Sequence, residues 1–250
     1  MCYIRDVPQP KEACMENQKK PNDTKAQENT MFENMIFMCT EITEETTNKM
    51  TANLIEWVSK LKPAKAEILA KNTTTIISPY DEWPENQPVL EVYLQTPGGE
   101  IPVAQSIMSL FKMARAKGTI IKTINLSKAA SCGSLLAVSG TKGYRYMAED
   151  AYNLIHYGAR GGTSTRDGEA ERMLQRNNET TNILKKIYLD NTQLSLKEIN
   201  KYFTFEGAGR LNAKACLEKG ICDFVIKNNG QYTNDPKLIQ SIKNLKELSR

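Results

Sequence analysis

Hydrophobic positions in the middle of the chain follow two alternating spacings, one typical of buried strands and one of amphipathic helices. Short apolar runs at Val89–Leu94 and Thr119–Ile124 predict buried strands. Between them, apolar residues recur every three or four positions from Ile101 to Ala114, which predicts a helix that ends near Gly118. Strands that alternate with helices form βαβ units, so the pattern predicts an α/β fold with a mainly parallel sheet.

The same spacings predict the elements on either side of this unit. Strands are predicted at 35–38, 144–147, 152–156 and 223–226, and helices at 51–61, 135–138, 165–191, 196–203 and 213–219, with a weak last helix after Pro236. The helix at 165–191 is long and polar, and its apolar stripe is thin. A helix of this kind usually packs against a partner molecule, and a solvated surface helix is the alternative.

Polar stretches mark the limits of the predicted domain. Residues 1–33 contain three prolines and no apolar period, so we expect a flexible extension there. Residues 62–87 are rich in proline and are interpreted as an insertion, and residues 229–250 as a polar tail rich in Lys and Asn. The sequence therefore predicts one domain at 34–228.

Composition narrows the class of protein. With 40% hydrophobic and 25% charged residues, the chain has the composition of an ordinary globular protein. The net charge of +4 is scattered, which argues against a nucleic-acid partner, and no apolar run is long enough for a membrane span. The six cysteines lack metal-site spacing, and no phosphate-binding loop is visible. We expect a cytoplasmic protein with free thiols and without a metal or cofactor.

Three features could together carry acyl-transfer chemistry. His156 is the only histidine in the chain and ends a predicted strand. Ser131 lies between a strand and a short helix, among small residues, and Thr96–Gly99 forms a glycine turn upstream. A hydroxyl nucleophile, a base and free backbone N–H groups are the parts such a site needs. Taken singly, the features are more often a helix-capping serine, a packed histidine and a turn.

The order of four motifs changes this assessment. The motifs are Gln95-Thr96-Pro97-Gly98-Gly99, Ala129-Ala130-Ser131-Cys132-Gly133, Ile155-His156, and Leu211-Asn212-Ala213 followed by Gly220-Ile221-Cys222-Asp223. Together they resemble the ClpP family, the proteolytic subunits of the ATP-dependent Clp protease. The resemblance runs from about Met35 to Ile226 and implies a ClpP/crotonase-like fold of repeated βαβ units with a protruding handle helix.

The resemblance also implies a role for each motif. Ser131 would be the nucleophile, His156 the general base, and the backbone N–H groups of Gly99 and Cys132 the oxyanion hole. The implied function is a serine endopeptidase that cuts unfolded polypeptides.

Assembly and partners follow from the same resemblance. Gly161 and Gly162 would open the segment that pairs with an extended peptide substrate. The helix at 165–191 would be the handle through which two heptameric rings stack into a tetradecamer. An ATPase of the ClpX or ClpA type would be a partner, although Glu91 lies where the family's docking surface tends to be aromatic.

One departure concerns the third catalytic residue. Where the family has its catalytic aspartate, three residues before Leu211, this chain has Ala208. Three interpretations stay open. Glu206 could supply the carboxylate, the site could work as a Ser-His dyad, or the chain could be a non-catalytic ring subunit that co-assembles with an active paralogue.

Two further enzymes fit parts of the pattern. Lys128 lies three residues before Ser131, as in a Ser-Lys hydrolase of the signal-peptide-peptidase type, where a lysine base would make His156 incidental. A dedicated phage-type processing protease would be compatible with the insertion and the polar extension.

Overall fold

A mainly parallel sheet flanked by helices is the frame of the molecule in a computed structural model, which describes residues 27–62, 87–156, 169–203 and 208–239. The α/β fold is thereby confirmed. The strands are β1 (Thr30–Phe32), β2 (Met35–Met38), β3 (Val89–Thr96), β4 (Ile120–Ala130), β5 (Arg145–Ala148), β6 (Tyr152–His156), β7 (Ala208–Asn212), β8 (Phe224–Ile226) and β9 (Tyr232–Thr233). The helices are α1 (Glu44–Lys60), α2 (Ile101–Ala116), α3 (Cys132–Val138), α4 (Glu169–Asn191), α5 (Leu196–Tyr202) and α6 (Ala213–Glu218), followed by a 3₁₀ turn at Pro236–Leu238.

The long strand β4 organises the sheet. Its first half pairs with β3 and β5, and its last residues, Lys128 to Ala130, pair with β6. The order along the sheet is β1-β2-β3-β4-β5-β8-β9, with β6 and β7 branching from the end of β4. The five pairings among β2, β3, β4, β5, β6 and β8 are parallel, whereas β1, β7 and β9 add antiparallel edges. This branch brings the ends of β4 and β6, with Ser131 and His156, to one place.

The two faces of the sheet are buried differently. Leu90, Val92 and Leu94 of β3 are fully buried in the main core, together with apolar residues of α1, α2 and α3. On the opposite face, Tyr93 belongs to a smaller, largely aromatic cluster with Tyr146 and others of β4, β5 and β8. The helices therefore cover one face, and it is on this covered side that α3 follows Ser131.

The sheet extends past the expected domain limits at both ends. β1 begins at Thr30, before the predicted start at 34, and β9 lies after the predicted end at 228. Residues 1–26, 63–86 and 240–250 lie outside the described residues. The expected extension, insertion and tail fall largely within those segments.

Helix α4 is buried over only part of its length. Its first buried residue is Thr181, and the described side chains of 169–180 are exposed or half-buried, Leu174 being 62% exposed. At the other end, the guanidinium of Arg145 donates to the carbonyl of Asn191 at 2.6 Å and to the carboxylate of Asp223 at 2.5 and 2.8 Å. Arg145, held by a bidentate ion pair with Asp223, thus bonds the C-terminal end of α4 to strand β5, whereas the described side chains of the N-terminal half are exposed or half-buried.

No helix in the described part of the chain combines the length and the apolar character that a membrane crossing requires.

Candidate active site

Ser131 lies at the junction between β4 and α3 in a conformation that an L-residue seldom adopts. Its φ is 54° and its ψ is −121°, and its backbone N–H donates to the carbonyl of Leu154 in β6 at 2.9 Å. Its side chain makes no capping hydrogen bond to α3, so Ser131 is not the ordinary helix-capping serine that the motif alone suggests. A non-glycine residue at such angles costs on the order of 1–3 kcal/mol, and a sharp strand-to-helix turn of this kind presents a nucleophilic hydroxyl.

The glycine turn at 96–99 packs directly against this junction. Gly98 has a φ of 99°, and a Cβ there would lie 2.5 Å from the Cβ of Ser131. A Cβ on Gly99 would lie 2.3 Å from the carbonyl oxygen of Ile42. The buried Thr96 hydroxyl holds the turn, because it accepts from the N–H of Gly98 at 3.1 Å and donates to the carbonyl of Thr40 at 2.6 Å. Only glycine therefore fits at 98 and 99.

Two backbone N–H groups next to Ser131 are left available by this packing. The bridge to Ile42 uses the carbonyl of Gly98 at 2.8 Å and the N–H of Glu100 at 2.7 Å, so the N–H of Gly99 takes no part in it. Cys132 is the first residue of α3, and its N–H has no acceptor within the helix. Both groups match the donors that the resemblance implies for an oxyanion hole.

The thiol of Cys132 is a neutral neighbour of Ser131. It is buried and lies 3.1 Å from the carbonyl oxygen of Gly99, to which it donates. Burial raises the pKa of this thiol to about 11, which outweighs the opposing effect of its hydrogen bonds. At neutral pH Cys132 is therefore a protonated thiol that holds the turn, and it does not compete with Ser131 as a nucleophile.

His156 is the last residue of β6, as predicted, and is half-buried. Strand β7 pairs with β6 in antiparallel register, and Ala208 is the residue directly opposite His156. The ring of Tyr202 occupies the space beside Gly209, where a Cβ would lie 2.4 Å from a ring carbon. Directly opposite positions of an antiparallel pair lie about 5 Å apart, so the register places the backbone of position 208 next to that of His156.

One cavity of about 520 Å³ brings the candidate residues together. Ser131, His156, Gly99 and Cys132 all line it. Lys128 is not among the residues that line it, and instead lines a neighbouring cavity with Tyr152. This geometry favours His156 over Lys128 as the base for Ser131. Glu206, Gly161 and Gly162 lie outside the described residues, so their predicted roles stay predictions.

The remainder of the cavity wall consists of residues that the sequence did not assign to the site. Leu184 and Tyr188 of α4 line it, together with Leu135, Phe203, Ile101 and Pro102. The hydroxyl of Tyr188 donates to the hydroxyl of Ser134 in α3 at 2.7 Å, with both groups buried. The i, i+4 spacing of Leu184 and Tyr188 could have indicated an inward face, but not which cavity it faces.

No group of three or more His, Cys, Asp or Glu residues suited to a metal ion occurs within the described ranges. The four cysteines at 39, 132, 216 and 222 are free thiols.

Fold and cavity together define a class of protein. Repeated βαβ units on a branched parallel sheet, with a serine at the end of one central strand and a histidine at the end of the next, are the architecture expected of the ClpP/crotonase class.

Comparison with known proteins identifies the family within this class. Residues 81–229 match the family model described as Clp protease. The chain is 32% identical over 146 residues to the ATP-dependent Clp protease proteolytic subunit of Streptococcus uberis, which covers 58% of this chain and 72% of that protein. It is 34% identical over 150 residues to the subunit of the same name from Lactococcus lactis subsp. cremoris, covering 58% and 71%. The chain belongs to the Clp protease family, as a divergent member.

Proposed function

We propose that this chain is a serine-type endopeptidase that hydrolyses peptide bonds in unfolded polypeptides. The observation that carries the proposal is the conformation of Ser131. A serine at positive φ, free of a capping role, opens into a cavity that His156 and the glycine turn also line. Strain of this kind persists where the surrounding structure holds it in place, and it is typical of nucleophile turns.

The proposed reaction follows the serine-histidine pattern. The hydroxyl oxygen of Ser131 attacks the scissile carbonyl while His156 accepts its proton and then gives it to the leaving amine. The N–H groups of Gly99 and Cys132 stabilise the oxyanion of the tetrahedral intermediate. Water then attacks the acyl-enzyme ester, with His156 again as the base, and releases the second product with a regenerated Ser131 hydroxyl.

We assign the orienting carboxylate to Glu206. Ala208 cannot orient the imidazole or stabilise its protonated form, and it lies directly opposite His156 in the ladder. Glu206 is two residues away along the chain, and its side chain is one methylene longer than that of aspartate.

The chain is proposed to assemble through α4 into two stacked heptameric rings. Support comes from two exposed apolar side chains of α4, Leu174 in its N-terminal half (62% exposed) and Ile183 in its C-terminal half (51% exposed).

We also propose an ATPase of the ClpX or ClpA type as a partner. The surface around Tyr93 is more polar than the resemblance implies, because Glu91 accepts from Lys122 and from the hydroxyl of Tyr93, each at 2.8 Å. A pull-down without ATP-dependent association with such a ring would contradict this pairing.

Peptide hydrolysis by the purified full chain tests the activity. We expect measurable cleavage of a fluorogenic peptide that is abolished by Ser131→Ala and by His156→Ala, with the oligomeric state unchanged. Retained activity in His156→Ala would instead favour the lysine-based hydrolase.

A non-catalytic ring subunit is the second candidate, and Ala208 is the observation that favours it. It predicts no cleavage by the chain alone and co-purification with an active paralogue.

A further inference from the structure

The rim of the Ser131 cavity carries two carboxylates that the proposed chemistry does not use. Glu41 and Glu100 both line the cavity and are solvent-exposed. No other charged residue with a described position lines it. Neither carboxylate forms an ion pair with any residue in the described ranges.

The backbone fixes both residues at the rim. Glu41 directly precedes Ile42 and Glu100 directly follows Gly99, and these two partners form the bridge that closes the glycine turn. The N–H of Glu100 donates to the carbonyl of Ile42 at 2.7 Å, and the carbonyl of Glu41 accepts from Asn29 at 3.1 Å and from Thr46 at 2.5 Å. The same contacts that shape the glycine turn therefore hold the two acidic residues beside the mouth of the cavity.

The cavity behind the rim has the opposite character. Its wall includes the apolar side chains of Leu135, Leu184, Phe203 and Ile101. An apolar wall takes up an apolar side chain of a bound peptide, because burial of that side chain is favourable. Glu41 and Glu100 are the exposed acidic residues of the same lining, next to the space that a bound peptide would fill.

We propose that Glu41 and Glu100 make this cavity selective for peptides that carry a basic side chain beside an apolar one. The proposal deepens the proposed function and rests on it for the identity of the ligand as a peptide. Two carboxylates that have no ion-pair partner among the described residues attract a Lys or Arg side chain and repel an acidic one. Because both are exposed, the attraction weakens with salt. Lys128 lines the adjacent cavity that Glu41 also reaches, so Glu100 is expected to contribute more of the selectivity.

Peptide binding to the Ser131→Ala variant tests the selectivity independently of turnover. The probes are three fluorescent peptides with a central leucine flanked on both sides by Lys, Gln or Glu, and the measurement is fluorescence anisotropy. At low salt we expect the Lys peptide to bind about tenfold more tightly than the Gln peptide, and the Glu peptide to bind most weakly. The differences shrink at high salt.

Charge-matched variants locate the effect. Adding Glu100→Gln should remove most of the preference, and adding Glu41→Gln as well should remove the remainder. The control is Glu45→Gln with Glu56→Gln, which changes the net charge equally at two exposed positions of α1 and should keep the preference.

Three outcomes would overturn the proposal: equal binding of the three peptides, no binding of any, or a control variant that loses the preference. Labelling of the unmutated protein with a fluorophosphonate decides the proposed peptidase activity separately. A protein that is labelled but shows no charge preference supports the proposed activity and overturns the proposed selectivity. A protein that shows the preference but is not labelled supports the selectivity and overturns the activity.

Discussion

Ala208 is the residue on which the proposed chemistry depends most, because the resemblance to the ClpP family implies an aspartate there. The ladder places Ala208 directly opposite His156, and we propose that a carboxylate at this position would orient the imidazole. Loss of the aspartate function in a related triad lowers turnover by roughly 10⁴. If Glu206 replaces the missing aspartate in this chain, removal of its carboxylate should lower turnover by a factor of similar size.

A rescue experiment measures that contribution. We expect Glu206→Gln to reduce kcat for peptide hydrolysis by about 10³- to 10⁴-fold, and Ala208→Asp in the same protein to restore most of it, because the new carboxylate lies across from His156. Steady-state kinetics on the four combinations of the two substitutions provides the comparison. An unchanged rate in Glu206→Gln, with a large gain in Ala208→Asp alone, would show a Ser-His dyad instead.

The strands and helices that carry the site could be predicted only where their own sequence decides their structure. The apolar run ending in His156 gave the correct end of β6, and the small residues around Ser131 correctly indicated a strand-to-helix junction. The strand predicted before it ends at Ile124, however, whereas β4 continues to Ala130. Strand β7 is missing from the predicted strands. Its sequence Ala208-Gly209-Arg210-Leu211-Asn212 lacks an alternating apolar pattern, and it forms a strand because it pairs with β6 and accommodates the ring of Tyr202 at Gly209.

The start of helix α1 also depends on contacts that its own sequence does not predict. The predicted helix begins at Thr51, whereas the observed one begins at Glu44, after a capping box formed by Thr43 and Thr46. Its first two turns contain few apolar residues, and the burial of Thr47 and Met50 against the sheet depends on tertiary contacts. The φ of Ser131 likewise depends on tertiary contacts, because Ser131 lies where β6 pairs with the end of β4. No pattern in the sequence predicts it.

Helix α5 supplies a pH-dependent contribution to stability. Glu198 accepts from Lys219, at the end of α6, and from the hydroxyl and N–H of Ser195 in a capping box. These bonds, with that from Lys219 the largest, lower the pKa of Glu198 to about 2. A lowered pKa means that the contribution is complete above the unfolded pKa of about 4.3 and is lost as the pH falls towards 2.

The substitution Glu198→Gln tests this contribution. At pH 7 we expect it to lower the Tm by roughly 1–2 °C, since the pair is partly exposed and screened. The difference from the unmutated protein should narrow as the pH is lowered from 4.5, because a protonated glutamate resembles glutamine. Thermal unfolding followed by circular dichroism at pH 7, 4.5 and 3.5 measures it. A gap that widens on acidification would contradict the assigned direction.

At the scale of the whole molecule, α4 connects the site to any assembly. Its C-terminal half lines the cavity through Leu184 and Tyr188, whereas the described side chains of its N-terminal half are exposed or half-buried. Leu174 in the N-terminal half and Ile183 in the C-terminal half are the exposed apolar residues that the proposed ring contact would use. Because one rigid helix carries both halves, the proposed ring contact and the cavity belong to a single element.

Charged side chains at the exposed apolar positions of α4 should change the assembly of the chain without unfolding it. We expect the double variant Leu174→Glu/Ile183→Glu to reduce the particle by half, from stacked rings to a single ring, because the apolar contact would be replaced by repelling carboxylates. Light scattering coupled to size-exclusion chromatography gives the mass. Exposed Leu238, outside α4, provides a control as Leu238→Glu. A mass unchanged by the double variant would place the contact elsewhere.

The central claim is that Ser131 is an activated nucleophile, and covalent labelling tests it most directly. The full chain is incubated with a fluorophosphonate, and the modified residue is located by mass spectrometry of its peptides. We predict one adduct, on Ser131, that is absent from Ser131→Ala and strongly reduced in His156→Ala. An assembled protein that acquires no adduct on Ser131 would contradict the claim and identify a ring subunit without peptidase activity.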